Sequence, residues 1–275
     1  MDQKQLKLNR TCHFSQLPFS HTSIWIPFAR GVGSELRSFN MTPQEIIPME
    51  GFNIGIWNYN ALLSLQKYKI EVVETISQMP PTPPTTEAFI KACLLEDAPL
   101  VRIDDQILNR VKKLGIQSNS TQVEKVQKVT DFIVQTLSYE YPPKVREAID
   151  VLSTSTSDCG GYHALFAALL RSVGIPVAID FGFRLPKMTP HVWAWWYDVS
   201  VKQWNMIDLN DIQTKSSIGN RVSFSLNTGH EIKYFPKPVQ FIQEKLSWDW
   251  NFDLHKKIFG RVTTSEIEFH LSTGV

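Results

Sequence analysis

The sequence predicts an α+β protein in which a β-rich N-terminal part precedes a core of helices and antiparallel strands. Two observations carry this prediction. Strand-like stretches fill the residues up to about Ile76, and a proline-rich run then separates them from amphipathic helices and aromatic strands. The 275 residues suffice for one large domain or two modest ones, and the 43% of hydrophobic residues can build a full core. The charges are nearly balanced, with 28 basic and 27 acidic residues, so we expect no nucleic-acid partner.

The N-terminal part, residues 1–78, is predicted to be a β-rich accessory domain. Its strand-like stretches are residues 23–28, 51–58 and 67–74, and the last of these alternates as in a strand with one wet face. Residues 79–87 follow, and they contain the run Pro80-Pro81-Thr82-Pro83-Pro84. Because proline fixes φ and lacks a backbone N–H, this run predicts a stiff linker and a domain boundary.

Residues 88–215 are predicted to form a core of helices followed by strands. Thr121 and Glu124 fit a capping box, which starts a helix that reaches Leu137. A further helix begins at Cys159 and ends at Gly174, where glycine provides a left-handed cap. The other predicted elements are helices 104–114 and 145–152 and strands 177–183, 191–197 and 204–208. Residues 216–275 are again β-rich and are predicted to be an extension that packs on the core.

The three cysteines, Cys12, Cys93 and Cys159, are too widely spaced to predict a disulfide framework or a metal-ligand pair. A reducing compartment, the cytoplasm, is the simpler interpretation, since the polar N-terminus lacks the apolar region of a signal peptide. No run approaches the ~18 apolar residues of a membrane span. The histidines show no H-E-x-x-H spacing, so we expect neither a metal site nor a cofactor.

Cys159, His191 and Asp208 are the candidate catalytic residues, in the chain order thiol, imidazole and carboxylate. Cys159 begins a helix, whose free amides and dipole favour a thiolate, so we expect a lowered thiol pKa. A hairpin centred between Val199 and Ser200 would place His191 opposite Asp208, and the carboxylate could then hold one ring nitrogen and leave the other for the thiol. For each residue alone, a structural role remains the alternative.

Three blocks of the sequence resemble the transglutaminase-like superfamily. They are residues 158–176 around the cysteine, residues 191–195 around the histidine and residues 204–208 before the aspartate, within a match from about Leu94 to Asp211. Ser157 stands where family members often have glycine. The resemblance implies a papain-like core, with a helix that carries the nucleophile Cys159 packed against an antiparallel sheet. It further implies that His191 acts as general base and acid and that Asp208 orients it.

By the same resemblance, we expect acyl transfer at an amide of a peptide or protein through a thioester on Cys159. Hydrolysis is favoured, because a water-accessible thioester is hydrolysed by default, which describes a cysteine protease or amidase. A crosslinking transglutaminase and a non-catalytic binding module of the same fold are the alternatives. Trp193 and Tyr139 are candidates for substrate contact, and Tyr139 or Tyr141 for a second oxyanion donor, although packing is the alternative for each. His163 lies one turn along the Cys159 helix and could bond near the thiol, but we expect a hydrogen-bonded core or surface histidine.

Overall fold

In this computed structural model, the structure describes residues 5–49, 52–61, 64–95, 100–141, 147–227, 257–260 and 262–273. The described part of the chain has the predicted α+β architecture, with a β-rich N-terminal region and a mixed core. No helix in these ranges is long and apolar enough to cross a membrane.

Two four-stranded sheets make up the N-terminal region together with the end of the chain. The strands are β1 (Gln5–Gln16), β2 (Ser20–Pro27), β3 (Arg37–Phe39), β4 (Glu45–Met49), β5 (Phe52–Ala61), β6 (Gln66–Ser77), β13 (Lys257–Gly260) and β14 (Val262–Thr273). One sheet has the order β14-β1-β6-β3, and the other has the order β13-β2-β5-β4. Apolar residues of both sheets, among them Phe14, Trp57 and Ile70, share one buried cluster, so the two sheets enclose a common core.

The remaining elements form the second region. Its helices are α1 (Glu87–Ala92), α2 (Asp105–Lys113), α3 (Gln122–Thr136), α4 (Ala148–Thr154), α5 (Cys159–Arg171) and α6 (Leu209–Thr214). Its strands are β7 (Ser138–Tyr139), β8 (Thr156–Ser157), β9 (Val177–Arg184), β10 (Thr189–Asp198), β11 (Gln203–Ile207) and β12 (Arg221–Asn227). The order β11-β10-β9-β12 gives an antiparallel sheet, and α5 is buried against β9 and β10 as the resemblance implies.

The structure contains the helix start and the helix end that the sequence predicted for α3 and α5. Thr121 and Glu124 form the capping box, with Thr121 N donating to Glu124 Oε2 at 2.8 Å and Glu124 N donating to Thr121 Oγ1 at 3.2 Å. Gly174 follows α5 with φ of +79°, a conformation that glycine adopts without steric cost. The predicted helix 145–152 is found as Ala148–Thr154, and residues 145 and 146 lie outside the described residues.

The hairpin between β10 and β11 is centred one residue later than we predicted. Tyr197 pairs with Trp204 and Asp198 with Gln203, so residues 199–202 form the loop, and the register differs from the predicted one by two positions. Asp198 accepts hydrogen bonds from the backbone and hydroxyl of Ser200, at 2.9 Å and 2.5 Å, and so builds an Asx turn into the loop. A shift of two positions keeps every side chain on its predicted face.

Residues 80–86 are neither helix nor strand, as the proline run predicted, and α1 begins at Glu87 inside the predicted linker. The C-terminal extension is divided between two regions. Strand β12 pairs with β9 of the core, whereas β13 and β14 pair with β2 and β1. The chain end therefore returns to the N-terminal sheets, and the four-part division of the chain stays a prediction.

Candidate active site

Cys159 is the first residue of α5, and local contacts determine its position. Asp158 caps the helix by accepting a hydrogen bond from Gly161 N at 3.2 Å. A Cβ atom on Gly161 would overlap the Ser157 hydroxyl, so glycine permits the close approach of β8 to this helix turn. The backbone amides of Gly160 and Val192 hydrogen-bond to the Cys159 sulfur. Since Val192 follows His191, these contacts place the thiol beside the strand that carries the imidazole.

The environment of Cys159 corrects our expectation of a lowered thiol pKa. The residue is only 8% exposed. Burial raises the pKa of the Cys159 thiol to about 12, the neighbouring Asp158 carboxylate adds to the effect, and the amides of Val192 and Gly160 act in the opposite direction without cancelling it. Desolvation of the anion therefore outweighs the helix start. Burial of this kind favours the protonated thiol over the thiolate.

His191 and Asp208 contact each other as the sequence predicted, but not as directly opposed strand residues. His191 pairs with Gly182 of β9, and Asp208 follows β11 as the N-cap of α6. Their side chains meet at 2.6 Å between His191 Nε2 and Asp208 Oδ2. Since a carboxylate only accepts, Nε2 carries the hydrogen, which leaves the Nδ1 lone pair of His191 as the possible base.

Asp208 is fully buried and nevertheless ionised. Burial by itself would raise its pKa, but the hydrogen bond from His191 and the charge of Arg221 hold the pKa of Asp208 well below its usual range. Its other oxygen, Oδ1, accepts from Asn210 N at 3.0 Å and from Asp211 N at 3.2 Å. The start of α6 thus orients the carboxylate and stabilises its charge.

The two candidates for substrate contact lie in different environments. Trp193 is completely buried and stacks against the His191 ring, with ring centroids 6.4 Å apart and an angle of 28° between the planes. In this position Trp193 supports the imidazole, and its contact with substrate stays a prediction. Tyr139 is 52% exposed. Tyr139 pairs with Ser157 of β8, two residues before Cys159. Burial raises the pKa of the Tyr139 hydroxyl to about 12, and the nearby Cys159 adds to this effect.

Sequence reasoning missed three charged residues around the His191–Asp208 pair. Arg221 Nη2 donates to Asp208 Oδ2 and to Asp211 Oδ2, both at 2.5 Å. Arg184 Nη2 lies 3.1 Å from Asp208 Oδ2 and 2.5 Å from Asp211 Oδ1. Asp211 could have been found, because it follows Asp208 by three residues and therefore shares its helix face. The two arginines come from β9 and β12, and no local pattern links them to the site.

His163 is a hydrogen-bonded core histidine, as expected, and its partners belong to the site. Its Nδ1 donates to Cys159 O at 2.7 Å, and its Nε2 accepts from Leu209 N at 3.2 Å. Burial lowers the pKa of His163 to about 4, so the ring is neutral at physiological pH. The side chain thus ties the start of α5 to the start of α6. Among the described residues, no group of three or more His, Cys, Asp or Glu could hold a metal ion.

Comparisons with known proteins agree with this fold. The sequence profile of the Transglutaminase-like superfamily matches residues 110–209. A solved structure from Cytophaga hutchinsonii, named as a candidate cysteine protease, aligns with a TM-score of 0.63 and 15% identity over 100% of this chain and 93% of that chain. The periplasmic domain of TgpA from Pseudomonas aeruginosa aligns with a TM-score of 0.42 and 11% identity over 78% of this chain and 89% of that one. A search of curated protein sequences found no match. At 15% identity, the first likeness shows a shared fold.

Proposed function

Because the chain contains a transglutaminase-like domain, we propose that it is a thiol enzyme that transfers the acyl group of an amide through a thioester on Cys159. The observation that supports this most strongly is the 2.6 Å contact between His191 Nε2 and Asp208 Oδ2, on a strand whose next amide binds the Cys159 sulfur. A nucleophile, a base and a group that orients the base are the parts that covalent catalysis needs.

In the first half of the proposed reaction, the buried thiol loses its proton to Nδ1 of His191 while the sulfur attacks the amide carbon. The carbonyl π electrons move to oxygen and give a tetrahedral oxyanion. When this intermediate collapses, the C–N bond breaks, and the amine leaves with the proton from His191. The product is a thioester on Cys159. Asp208 stabilises the transient imidazolium, because its carboxylate holds the opposite ring nitrogen.

In the second half, His191 takes a proton from water as the oxygen attacks the thioester carbon. The C–S bond then breaks, the carboxylic acid leaves, and the proton returns to the sulfur. This hydrolysis describes a peptidase or amidase. With a lysine-like amine in place of water, the same steps would crosslink two proteins. We favour water, because a water-accessible thioester is hydrolysed by default, and the half-exposed Tyr139 lies near the buried thiol.

The oxyanion requires hydrogen-bond donors. We propose the amide N–H of Cys159, at the start of α5, as one donor and the hydroxyl of Tyr139 as the second. The raised pKa of Tyr139, to about 12, supports this role, since the group stays a protonated donor at every pH at which the enzyme would work.

The test is turnover of a library of fluorogenic peptide amides, with and without a primary amine, by the wild type, Cys159→Ala and Cys93→Ala. We expect Cys159→Ala to lose at least about a thousandfold in kcat/KM, because the nucleophile is gone. Cys93→Ala, an equal truncation at a buried cysteine of α1, should retain turnover. Free acid as the product supports hydrolysis, and an amine adduct would replace it with crosslinking. Undiminished turnover by Cys159→Ala would refute the proposal.

A further inference from the structure

The carboxylate that orients His191 has more donors than it needs. Asp208 Oδ2 lies within hydrogen-bond distance of His191 Nε2, Arg221 Nη2 and Arg184 Nη2, at 2.6, 2.5 and 3.1 Å. One carboxylate oxygen has two lone pairs in the plane, so these three donors compete for it. The imidazole can keep its hydrogen bond to Asp208 only if a second acceptor binds hydrogens of the two arginines.

Asp211 is that second acceptor. Its Oδ2 accepts from Arg221 and its Oδ1 from Arg184, both at 2.5 Å. The two carboxylates and the two guanidinium groups thus alternate in a closed ring, which we call the charge ring: Asp208, Arg221, Asp211 and Arg184. Arg221 is completely buried, whereas the side chain of Arg184 is 37% exposed. Two buried carboxylates one helix turn apart repel each other unless cations separate them, so every member of the ring depends on the others.

The position of Arg184 matters for the tautomer of His191. Arg184 Nη2 lies 2.8 Å from His191 Nε2. The Nη2 nitrogen of Arg184 carries two hydrogens, and it donates both of them to carboxylates, one to Asp208 and one to Asp211. While that holds, Nε2 of His191 donates to Asp208. If Arg184 lost its partner on α6, an Nη2 hydrogen could turn to Nε2, which would then accept and leave the ring hydrogen on Nδ1. A hydrogen on Nδ1 would remove the lone pair that has to receive the thiol proton.

We propose that Asp211 is a positioning residue of the site: by accepting from both arginines, it keeps the hydrogen of His191 on Nε2 and the lone pair on Nδ1. This inference rests on the proposed function for its effect on turnover, but the tautomer itself can be measured without substrate. Asn in place of Asp211 keeps one acceptor oxygen and can serve only one arginine, and Ala can serve neither.

The experiment compares wild type, Asp211→Asn, Asp211→Ala and the control Asp131→Asn, which changes an exposed aspartate of α3. NMR of protein labelled with ¹⁵N in the histidine rings reports which nitrogen of His191 carries hydrogen, with His191→Ala to assign the signals. We expect Nε2–H in the wild type and in Asp131→Asn, and a growing share of Nδ1–H from Asp211→Asn to Asp211→Ala. In folded protein, we expect kcat to fall about tenfold in Asp211→Asn with KM unchanged, since Asp211 touches no substrate.

Three results would overturn the inference. The first is an Nδ1–H tautomer in the wild type, and the second is an Asp211→Ala protein that is folded and keeps both the wild-type tautomer and kcat. Lower thermal stability with no change in tautomer would likewise show that the charge ring only supports the fold. Failure of the proposed function is a separate outcome, because it appears as turnover that survives Cys159→Ala while the tautomer still responds to Asp211.

Discussion

At the scale of single residues, the burial of the Cys159 thiol determines what His191 has to do. A cysteine whose thiolate is already stable needs its histidine mainly as a counterion, but the pKa of Cys159, raised to about 12 by burial, makes the thiolate scarce at neutral pH. The proton must then move during the attack on the amide. The Nδ1 lone pair of His191 becomes the important feature of the site, which is why the residues that fix its tautomer matter.

His163 gives a prediction for acid stability. The pKa of a histidine is ordinarily about 6.5 and burial lowers that of His163 to about 4, so the unfolded chain binds the proton more tightly. The contribution of neutral His163 to the stability of the folded protein is complete above pH 6.5 and is lost as the pH falls toward 4. The difference between the two values corresponds to about 3 kcal/mol of unfolding free energy. Below pH 4 the protonated ring could no longer accept from Leu209 N.

The measurement is urea unfolding of wild type and His163→Asn at pH 7.5 and pH 4.5. We expect the wild type to be the more stable protein at pH 7.5, and the gap between the two to shrink at pH 4.5, because Asn does not titrate. His13→Asn, in β1, controls for the loss of a histidine elsewhere. A gap of equal size at both pH values would mean that the buried ring does not carry the acid sensitivity.

At the scale of elements, features that depend on neighbouring residues could be predicted, and those that depend on distant ones could not. The capping box of α3 and the left-handed end of α5 need only residues within a few positions, and both were found from the sequence. The β10–β11 register depends on an Asx turn at Asp198, and the apolar pattern of the two strands does not reveal the hydrogen bonds of this turn. The His191–Asp208 contact was still predicted, because alternation fixes the face even when the register is shifted by two.

The close approach of β12 to β9 gives a prediction about this sheet. A Cβ atom on Gly182, the partner of His191 on β9, would overlap the Val222 carbonyl, which is backbone and cannot turn away. We expect Gly182→Ala to push β12 outward and to cost about 1–3 kcal/mol of stability. Since Arg221 is the neighbour of Val222, the strand shift should also disturb the contact of Arg221 with Asp208 and lower turnover.

Gly219→Ala is the matched control, because a Cβ atom there would meet nothing within 4 Å. We expect it to have no cost or a slight gain in stability. Thermal unfolding and amide turnover of the two variants, measured side by side, check the prediction. If Gly182→Ala is as stable and as active as Gly219→Ala, then β9 and β12 do not need their close approach.

At the scale of the whole molecule, the strand pairs formed by the chain end could not be foreseen. Strand β14 pairs with β1, at the opposite end of the sequence, and no pattern in either segment specifies the other. The charge ring could not be foreseen either, because its members come from β9, α6 and β12, which are far apart in the sequence. The sequence therefore predicted the three candidate catalytic residues, which lie within recognisable blocks, but not the residues from other elements that hold them.

The N-terminal region is attached to the core through a buried ion pair. Arg30, which follows β2, donates to Asp180 Oδ2 of β9 at 2.7 Å and to the Ser223 hydroxyl of β12 at 3.1 Å. Its other nitrogen donates to the carbonyls of Pro81 and Thr82 in the proline-rich run, at 3.2 and 3.4 Å. One side chain thus joins the N-terminal region, the linker and the core sheet. This arrangement supports a fixed accessory region rather than one that swings over the site.

Loss of Arg30 should therefore destabilise both regions together. Burial raises the pKa of Asp180, and Arg30 is the first of the groups that act against it, so Arg30→Met would leave a carboxylate buried without its counterion. We expect a loss of about 3–5 kcal/mol, the usual cost of breaking a buried pair from one side. In Arg30→Met/Asp180→Asn part of that loss should be recovered, since the unpaired charge is removed. Arg102→Met, at an exposed arginine, is the control.

Calorimetry and limited proteolysis distinguish the two arrangements of the regions. If the ion pair unites them, Arg30→Met should unfold in a single transition at lower temperature, and the N-terminal sheets and the core should become sensitive to protease together. A mobile accessory region would give a different result, with cleavage at residues 79–87 in the variant while the core retains its wild-type melting temperature. An unchanged melting temperature in Arg30→Met would show that the hydrogen bonds of Arg30 do not stabilise the contact between the N-terminal region and the core.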